Sequence, residues 1–527
     1  MAIRTFAAID IGSYELQLKI FEVSKSRGIR EVDSMVHRIE LGTDTYRTGK
    51  ITSRHVAEVK KTLLDFKRVM NVYGARDYKA YGTSAFREMQ NASVVLEQIE
   101  LETGIHIDIL SNSEQRFLDY KSIASKGELF NQVIEKDSAI VDFGGGSIQI
   151  SLFNKDRLVT TQNLRLGVLR IHEQIHSLDA ASTAVAPLIS ELVNAQILPF
   201  ARLYLKDRTI RNIILVDDYL CALMQQRGIS NLSMTEFSEL MQRIHVYNRQ
   251  NLARMLGVRD DNIPLIFISA VMLSRIAEVM KAENIYISGV TLCDGIVYEF
   301  AEKQKILPPS HDFEGDIIAC AQNISKRYKG SPERSRTLES ICLKIFDATK
   351  KIHGLSHREE LLLRIAAILH DCGRYISMVN LAQCAYDIIM ATEIIGLSHK
   401  EREIVANVVR YNHEPFVYYE QRAGIVGNSY ASGTSISGIS REDYLVIAKL
   451  TAILRIANGL DRSHRQKFEN IRVQVKDSEL EILVRTDQDI TLEKGMFGKR
   501  AAFFEEIYGI RPVIRKKNPK RQTKSEL

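Results

Sequence analysis

The sequence contains no tryptophan, only nine prolines and only six cysteines in 527 residues. So little proline excludes long proline-rich linkers. The cysteines are scattered without C-x-x-C spacing, which argues against a disulfide framework or a structural zinc site and fits a reducing compartment. Long apolar runs are also missing. No stretch approaches the ~20 apolar residues of a membrane span, and the opening MAIRTFAAIDIGSYELQLKIF alternates like a strand instead of holding the apolar core of a signal peptide. These absences predict a cytoplasmic protein with no membrane partner. Charge of one sign is lacking too: 71 basic against 65 acidic residues leave a net +6, too balanced to announce sequence-specific nucleic-acid binding. The basic excess gathers in Arg515, Lys516, Lys517, Lys520, Arg521 and Lys524. That run reads as a solvated, disordered tail over 513–527 rather than as a polyanion-attracting arm.

What is present is an ordinary globular composition on a length suited to two to four domains. The first ~300 residues mix strand and helix periods. Phe6–Asp10 and Leu16–Phe21 read as a hairpin with a polar Gly-Ser tip, His55–Met70 as a helix, and Ala80–Arg87 as a strand running into a Gly-Thr-Ser turn. Ala139–Phe143 and Ile148–Phe153 flank Gly144, Gly145, Gly146 and Ser147 as a second hairpin, and Ala180–Leu205 reads as a helix. "Strand, acidic residue, glycine turn, strand" thus occurs twice, at Asp10 and at Asp142, which predicts two similar α/β lobes facing a cleft. Ile306, Leu307, Pro308 and Pro309 read as a connector. Helical patterns dominate beyond it, at Leu338–Lys351, Glu359–His370, Leu381–Met390, Lys400–Asn412 and Glu442–Asn458. Strand alternation returns at Ile471–Val475 and Leu480–Val484, before a last helix over Leu492–Tyr508. The expected boundaries are 1–125 and 126–305 for the two lobes and 306–512 for a helical domain.

The glycine hairpins carry the chemistry. Three consecutive glycines after a buried strand allow a sharp turn and a close backbone approach, so their N–H groups can form a nest for an anion. Asp142 at the strand end suits a hard cation such as Mg²⁺, which prefers oxygen ligands. Asp10-Ile11-Gly12-Ser13 repeats the arrangement, and Thr83, Ser84 and Arg87 add hydroxyls and a planar guanidinium fork for phosphate oxygens.

The hairpin at Asp10, YGTSAFRE at Tyr81–Glu88, VDFGGGS at Val141–Ser147 and LRLGVLR at Leu164–Arg170 resemble, in order and spacing, the phosphate-site motifs of the exopolyphosphatase/guanosine pentaphosphate phosphohydrolase (Ppx/GppA) family. LHDCGRYIS at Leu369–Ser377 and ILRIANGLDRS at Ile453–Ser463 are similar to that family's HD-type helical domain. The resemblance implies an actin-like, two-lobed fold followed by a mostly α-helical HD-type domain. It also implies hydrolysis of the terminal phosphate of polyphosphate or guanosine pentaphosphate with Mg²⁺ (or Mn²⁺), and a homodimer. On the matching positions, Gly12, Ser13, Thr83, Ser84, Gly144, Gly145, Gly146 and Ser147 would bind phosphate, and Asp10, Asp142 and the residue at Gln149 would hold metal. Arg87 and the pair Glu114–Gln115 would carry catalysis.

Several positions depart from the family pattern. Gln115 stands where the resemblance places a catalytic Glu, and Gln149 where it places a second acid; Gln can orient water but cannot accept a proton at neutral pH. Tyr14-Glu15 replaces Asn-Ser/Thr, Val216-Asp217-Asp218-Tyr219 replaces a Gly-Gly-Thr loop, and Cys293-Asp294 replaces an Arg-Glu pair. Two readings follow. Either Glu15 or Glu114 takes over the carboxylate role in a retained hydrolase, which the surviving Asp10, Asp142, Arg87 and triple glycine favour, or the chain is a catalytically impaired polyphosphate- or nucleotide-binding regulator. In the helical half, His370-Asp371 matches the HD pair, but Arg334 lies where the first His belongs and Asn458 where the final Asp belongs, so a structural His-Asp pair is expected and tight metal binding is not. His353, His357 and His413 are expected at the surface or as caps.

Overall fold

The computed structural model describes residues 3–125, 130, 133–155, 157–178, 185–206, 208–217, 219–246, 253, 254, 259–419 and 439–517. They fall into two compact units, residues 1–316 and 317–527.

The first unit holds two sheets. The first contains β1 (Arg4–Ile11), β2 (Glu15–Ser24), β3 (Gly28–Arg38), β4 (Asp77–Gly82) and β5 (Asp108–Ile109), in the order β3-β2-β1-β4-β5. The second contains β6 (Ser138–Phe143), β7 (Ile148–Asn154), β8 (Arg157–Leu164), β9 (Asn212–Asp217), β10 (Asn231–Ser233) and β11 (Asn284–Ile287), in the order β10-β11-β9-β6-β7-β8. Leaving β10 aside, the two orders are the same, three antiparallel strands followed by two parallel ones. The expected pair of similar lobes is therefore present as a repeated topology.

Local sequence explains these elements. All six residues of β6 are buried, as a strand covered on both faces requires. The crossover helix Ser53–Val72 begins at Thr52, whose side chain accepts from the His55 amide, and buries Val56, Val59, Leu63, Phe66 and Met70 at helical spacing. Each such fully buried side chain contributes about 1.5–3 kcal/mol relative to exposure. In the second lobe the helix Val185–Tyr204 buries Ile189, Val193, Ile197 and Phe200. The start expected for it, residues 180–184, lies outside the described residues, as does Asp218.

One expectation needs correction here. The segment Asp260–Met280 is long and apolar enough to cross a membrane by length and composition. Its apolar residues are instead part of the second lobe's core, with Leu265, Ile268, Met272 and Ile276 buried among those of β6, β7 and β9. A helix also runs over Phe313–Arg327, just beyond the connector expected at residues 306–309.

The second unit contains the helices Pro332–Ala348, His357–Leu369, Leu381–Ala391, His399–Tyr411, Arg441–Leu460 and Thr491–Tyr508. Ser331, Ser356, Ser398 and Ser440 cap four of them with side-chain oxygens, and Ser356 and Ser398 complete capping boxes with Glu359 and Glu401. A small sheet orders β12 (Ile471–Lys476), β13 (Glu479–Arg485) and β14 (Arg511–Lys517) in sequence. β14 corrects the reading of a disordered tail from 513: residues 511–517 pair in parallel with β13, and Arg515 bridges to Glu479 and Glu481. Pro512 is tolerated because β14 is an edge strand. Lys520, Arg521 and Lys524 lie outside the described residues.

Candidate active site

The two hairpins superpose in logic residue by residue. Asp10 faces Gln17 across β1–β2, and Asp142 faces Gln149 across β6–β7. The Gly12 amide donates to the Glu15 carbonyl (2.9 Å), and the Gly144 amide to the Ser147 carbonyl (3.0 Å). Ser13 thus corresponds to Gly145, Tyr14 to Gly146 and Glu15 to Ser147.

The structure brings the two aspartates into one electrostatic environment. Asp10 is pushed up to about 7, first by burial, then by the charges of Glu15 and Asp142, with Arg87 opposing. Asp142 is also raised to about 7 by burial, against a hydrogen bond to Asp119; Asp217 pushes it further up, and Arg116 and Arg87 pull it down. Asp10 Oδ1, Asp142 Oδ2 and Gln149 Oε1 are buried with no hydrogen-bond partner. Buried oxygens left unsatisfied cost free energy, and two carboxylates that feel one another's charge, with the amide oxygen of the strand partner of Asp142, have the oxygen chemistry of a hard cation that keeps some of its waters. Among the described residues no three His, Cys, Asp or Glu side chains form a ready-made metal cage, so the fit depends on the Gln149 carbonyl as well as on the carboxylates.

Arg87 lies on the short helix Ser84–Glu88 and donates from Nη1 to the Leu110 carbonyl and to Gln115 Oε1, both at 2.9 Å. Gln115 is therefore held by the guanidinium. Glu114 is placed differently from the expectation. Its carboxylate accepts from the amide (3.0 Å) and hydroxyl (2.6 Å) of Ser111 in a capping box at the start of the helix Asn112–Ala124. Glu15 remains at the first hairpin tip, half-buried and raised by burial.

The glycine turn has a packing reason that sequence reading did not supply. The carbonyls of Gly144 and Gly145 accept from the amides of Val168, Leu169 and Arg170, so they cap the start of the helix Val168–Ser177. A methyl group on Gly167 would lie 2.1 Å from the Gly145 carbonyl oxygen, so only glycine allows this approach. Thr83 donates from its amide to the Ile11 carbonyl (3.2 Å), and Ser13 and Ser84 share a hydrogen bond of 2.7 Å. The Asp217 side chain accepts from the Tyr219 and Leu220 amides and from Ser269, so it caps a helix where a flexible glycine loop was expected to be lost. Cys293 is buried with its thiol toward the Ala8 carbonyl, and Asp294 closes a capping box with Thr291 while pairing with Lys19.

Arg116 and Asp119 were missed. Both are buried on the helix Asn112–Ala124, and both act on Asp142. The available signal was their i, i+3 spacing just after Gln115, which places a cation and an acid on one helix face. Tyr46, described below, was also missed.

In the second unit, His370 Nδ1 bonds the Ala367 carbonyl (2.8 Å) and its Nε2 lies 3.8 Å from Asp371 Oδ2. The fully buried Arg334 donates to Asn458 Oδ1 (2.7 Å) and lies 3.3 Å from Asp461 and 3.8 Å from Asp371. The guanidinium thus links the two positions that depart from the HD pattern. His353 corrects the surface expectation: it is buried, its Nδ1 accepting from the Leu355 amide and its Nε2 against the Phe346 carbonyl. His357 is exposed at a helix start, and His413 is half-buried against the His370 carbonyl.

Comparison with known proteins agrees with this architecture. Residues 20–304 match the Ppx/GppA phosphatase family, and residues 318–496 match the description Ppx/GppA phosphatase, domain III. The bifunctional 3-dehydroquinate synthase/phosphatase of Fusobacterium nucleatum is 22% identical over 60% of this chain but only 46% of its own length. Exopolyphosphatase 1 of Mycobacterium tuberculosis is 20% identical over 55% of this chain and 86% of its own. The guanosine-5'-triphosphate,3'-diphosphate pyrophosphatase of Photobacterium profundum is 18% identical over 77% and 80%. The crystal structure of an exopolyphosphatase from Cytophaga hutchinsonii aligns with a TM-score of 0.51 at 17% identity, over 57% of this chain and 98% of that one, a likeness of fold. With more than half of its residues matched to one family profile and most of the remainder to that family's third domain, this chain belongs to the Ppx/GppA phosphatase family.

Proposed function

We propose that the first unit hydrolyses the terminal phosphoanhydride of inorganic polyphosphate or of guanosine pentaphosphate, the two substrates suggested by its relatives' names. The observation that supports this best is the pair of unsatisfied aspartates, Asp10 and Asp142, at matching ends of the two glycine hairpins, with Arg87 in the same field. Both substrates present the same terminal group to these donors.

Asp10, Asp142 and Gln149 would hold Mg²⁺ or Mn²⁺. When bound, the cation would neutralise the phosphoanhydride oxygens and lower the cost of bringing a dianion to two carboxylates. Arg87 would add a charge-assisted fork, and Ser13, Thr83, Ser84 and Ser147 would orient the terminal group. Gln115, pinned by Arg87, would position the attacking water without taking its proton. Glu114 caps its helix, so Glu15 is the carboxylate left to accept that proton, and its raised affinity for protons suits a base working near neutrality. The same reading makes the protein a cytoplasmic homodimer.

Phosphate release from long-chain polyphosphate and from guanosine pentaphosphate, measured with Mg²⁺ and with Mn²⁺, tests the proposal. Asp142→Ala and Arg87→Ala should each lower kcat by about 10²–10³-fold, and Glu15→Gln by a similar factor. The double change Gln115→Glu with Gln149→Glu should raise it. Wild-type protein that binds these substrates without releasing phosphate, and that gains turnover only in the double variant, would replace the hydrolase with a binding regulator.

A further inference from the structure

Tyr46 belongs to the helix Leu41–Thr48, and none of the roles above uses it. Its hydroxyl lies 2.8 Å from Ser13 Oγ and 2.9 Å from Ser84 Oγ, while the two serines are 2.7 Å apart. Three hydroxyls in mutual contact form a closed set, since each has one proton to donate and a neighbour to receive it. Both serines are among the groups assigned above to the terminal phosphoryl group, so this inference rests on that assignment.

The second hairpin closes on the same point. A methyl group on Gly146 would lie 2.2 Å from Tyr46 Oη, and one on Gly145 would lie 3.0 Å from Ser13 Cβ. The tips of the two hairpins are therefore in contact, and the oxygen seated between them is the tyrosine's. The ring is fixed from outside by Arg170, whose Cζ lies 4.5 Å from its centre. Arg170 also donates to the Gly146 carbonyl (3.0 Å) and, from Nη2, to both carboxylate oxygens of Glu88 at 2.8 Å, which ties the second lobe to the first. A second tie runs from the Tyr14 hydroxyl to Asn262 (2.9 Å). The helix bearing Tyr46 is bracketed by two left-handed residues, Glu40 (φ 54°) and Gly49 (φ 74°). At the non-glycine Glu40 this conformation costs roughly 1 kcal/mol or more, so the helix is held under strain at its start, while at its end the Gly49 amide donates to the Thr45 carbonyl and the Gly49 carbonyl accepts from the Gln90 amide, both at 2.8 Å.

We infer that the Tyr46 hydroxyl is an internal occupant of the phosphoryl site: with the lobes closed it engages Ser13 and Ser84, and a phosphoanhydride is admitted only as Tyr46 and its helix withdraw. The ligand class is a terminal phosphate monoester or anhydride oxygen, which competes for the same hydroxyl donors. Substrate binding and lobe separation are thereby coupled, because the contact that must break spans both hairpins.

The test compares full-length wild type with Tyr46→Phe, which keeps the ring under Arg170 and removes only the competing oxygen. Calorimetric titration with inorganic triphosphate and Mg²⁺ should show about tenfold tighter binding to Tyr46→Phe, the size expected for losing one or two internal hydrogen bonds. Hydrogen exchange in the wild type should quicken across residues 41–48 when triphosphate is added. Weaker binding by Tyr46→Phe would make the hydroxyl a donor to the ligand, and equal binding would make it a bystander; either overturns the inference. If neither protein binds triphosphate, the hydrolase assignment falls, and the occupant is judged on free protein alone. Amides 144–147 should then exchange several-fold faster in Tyr46→Phe than in wild type, and unchanged exchange would overturn it.

Discussion

Each compact unit sets together a pair of largely enclosed aspartates, one buried and one partly buried, and the two units treat the resulting charge in different ways. In the second, Arg334 is fully buried beside Asp371 and Asp461 and also bonds Asn458, so the cation is supplied by the chain. In the first, Asp10 and Asp142 are pushed up to about 7, with Arg87 turned instead to Leu110 and Gln115; side-chain oxygens without a hydrogen-bond partner occur in both centres, on Asp371 and Asp461 as on Asp10 and Asp142. A buried carboxylate needs either a fixed counter-charge or a proton. The second unit has the fixed charge in Arg334. The first relies on a proton or on an incoming cation, which is the condition of a site that exchanges partners.

The largest effect expected from disturbing this contrast is at Arg334. Arg334→Met should leave Asp371 and Asp461 without a counter-charge and remove about 3–5 kcal/mol from the second unit's stability, measured by urea unfolding. Adding Asp461→Asn to that variant should restore part of the loss. If Arg334→Met is neutral, the guanidinium is not what holds the centre together.

Acidity should divide the units next. The carboxyls of Asp10 and Asp142 bind protons more tightly in the folded chain than in the unfolded one, so the first unit should lose stability as pH rises from about 4 to about 7 and level off above that. His413 is lowered to about 4 and His370 well below its ordinary value, chiefly by burial in each case. The unfolded chain therefore binds the extra protons, and the second unit should lose stability as pH falls from about 6.5 toward 4. Hydrogen exchange followed in each unit across that range should show opposite slopes, each worth about 1–3 kcal/mol. Parallel slopes would remove the contrast.

A smaller change is expected at Asp142 itself. Asp142→Asn removes a carboxyl that must be kept protonated or paired, so in the absence of divalent cation at pH 8 it should raise the first unit's melting temperature, by an amount equivalent to about 1 kcal/mol. Mn²⁺ should stabilise the wild type at pH 8 and leave the variant unmoved. Arg334→His with Asn458→Asp should give the second unit a weak affinity for Mn²⁺ that the wild type lacks there, the smallest of these effects.

The hairpins were legible because their signal is local: alternation, an acid at the strand end, then glycine where the backbone must turn. The helices of the second unit were legible for the same kind of reason, with Ser356 and Ser398 each followed three residues later by glutamate. Tyr46 was not legible as a site residue, since only tertiary packing brings it to Ser13, and the i, i+3 spacing of Arg116 and Asp119 places them on one helix face without saying that the face meets Asp142. β14 was read as tail because Arg515, Lys516 and Lys517 dominate its composition, and an edge strand tolerates charge that a central one would not. The capping box that Glu114 closes with Ser111 was not read, because a capping glutamate and a catalytic one occupy the same first turn of a helix.

The closest approach of the lobes is set by atoms that are missing. With no side chain at Gly145 or Gly146, the second tip advances until Ser13 and Tyr46 stop it. A single methyl at either glycine would act as a shim: it carries no charge, yet it would keep the jaws from meeting, and at Gly146 it would also displace the Tyr46 hydroxyl from Ser13 and Ser84. The width of the closed gap can therefore be graded one carbon at a time.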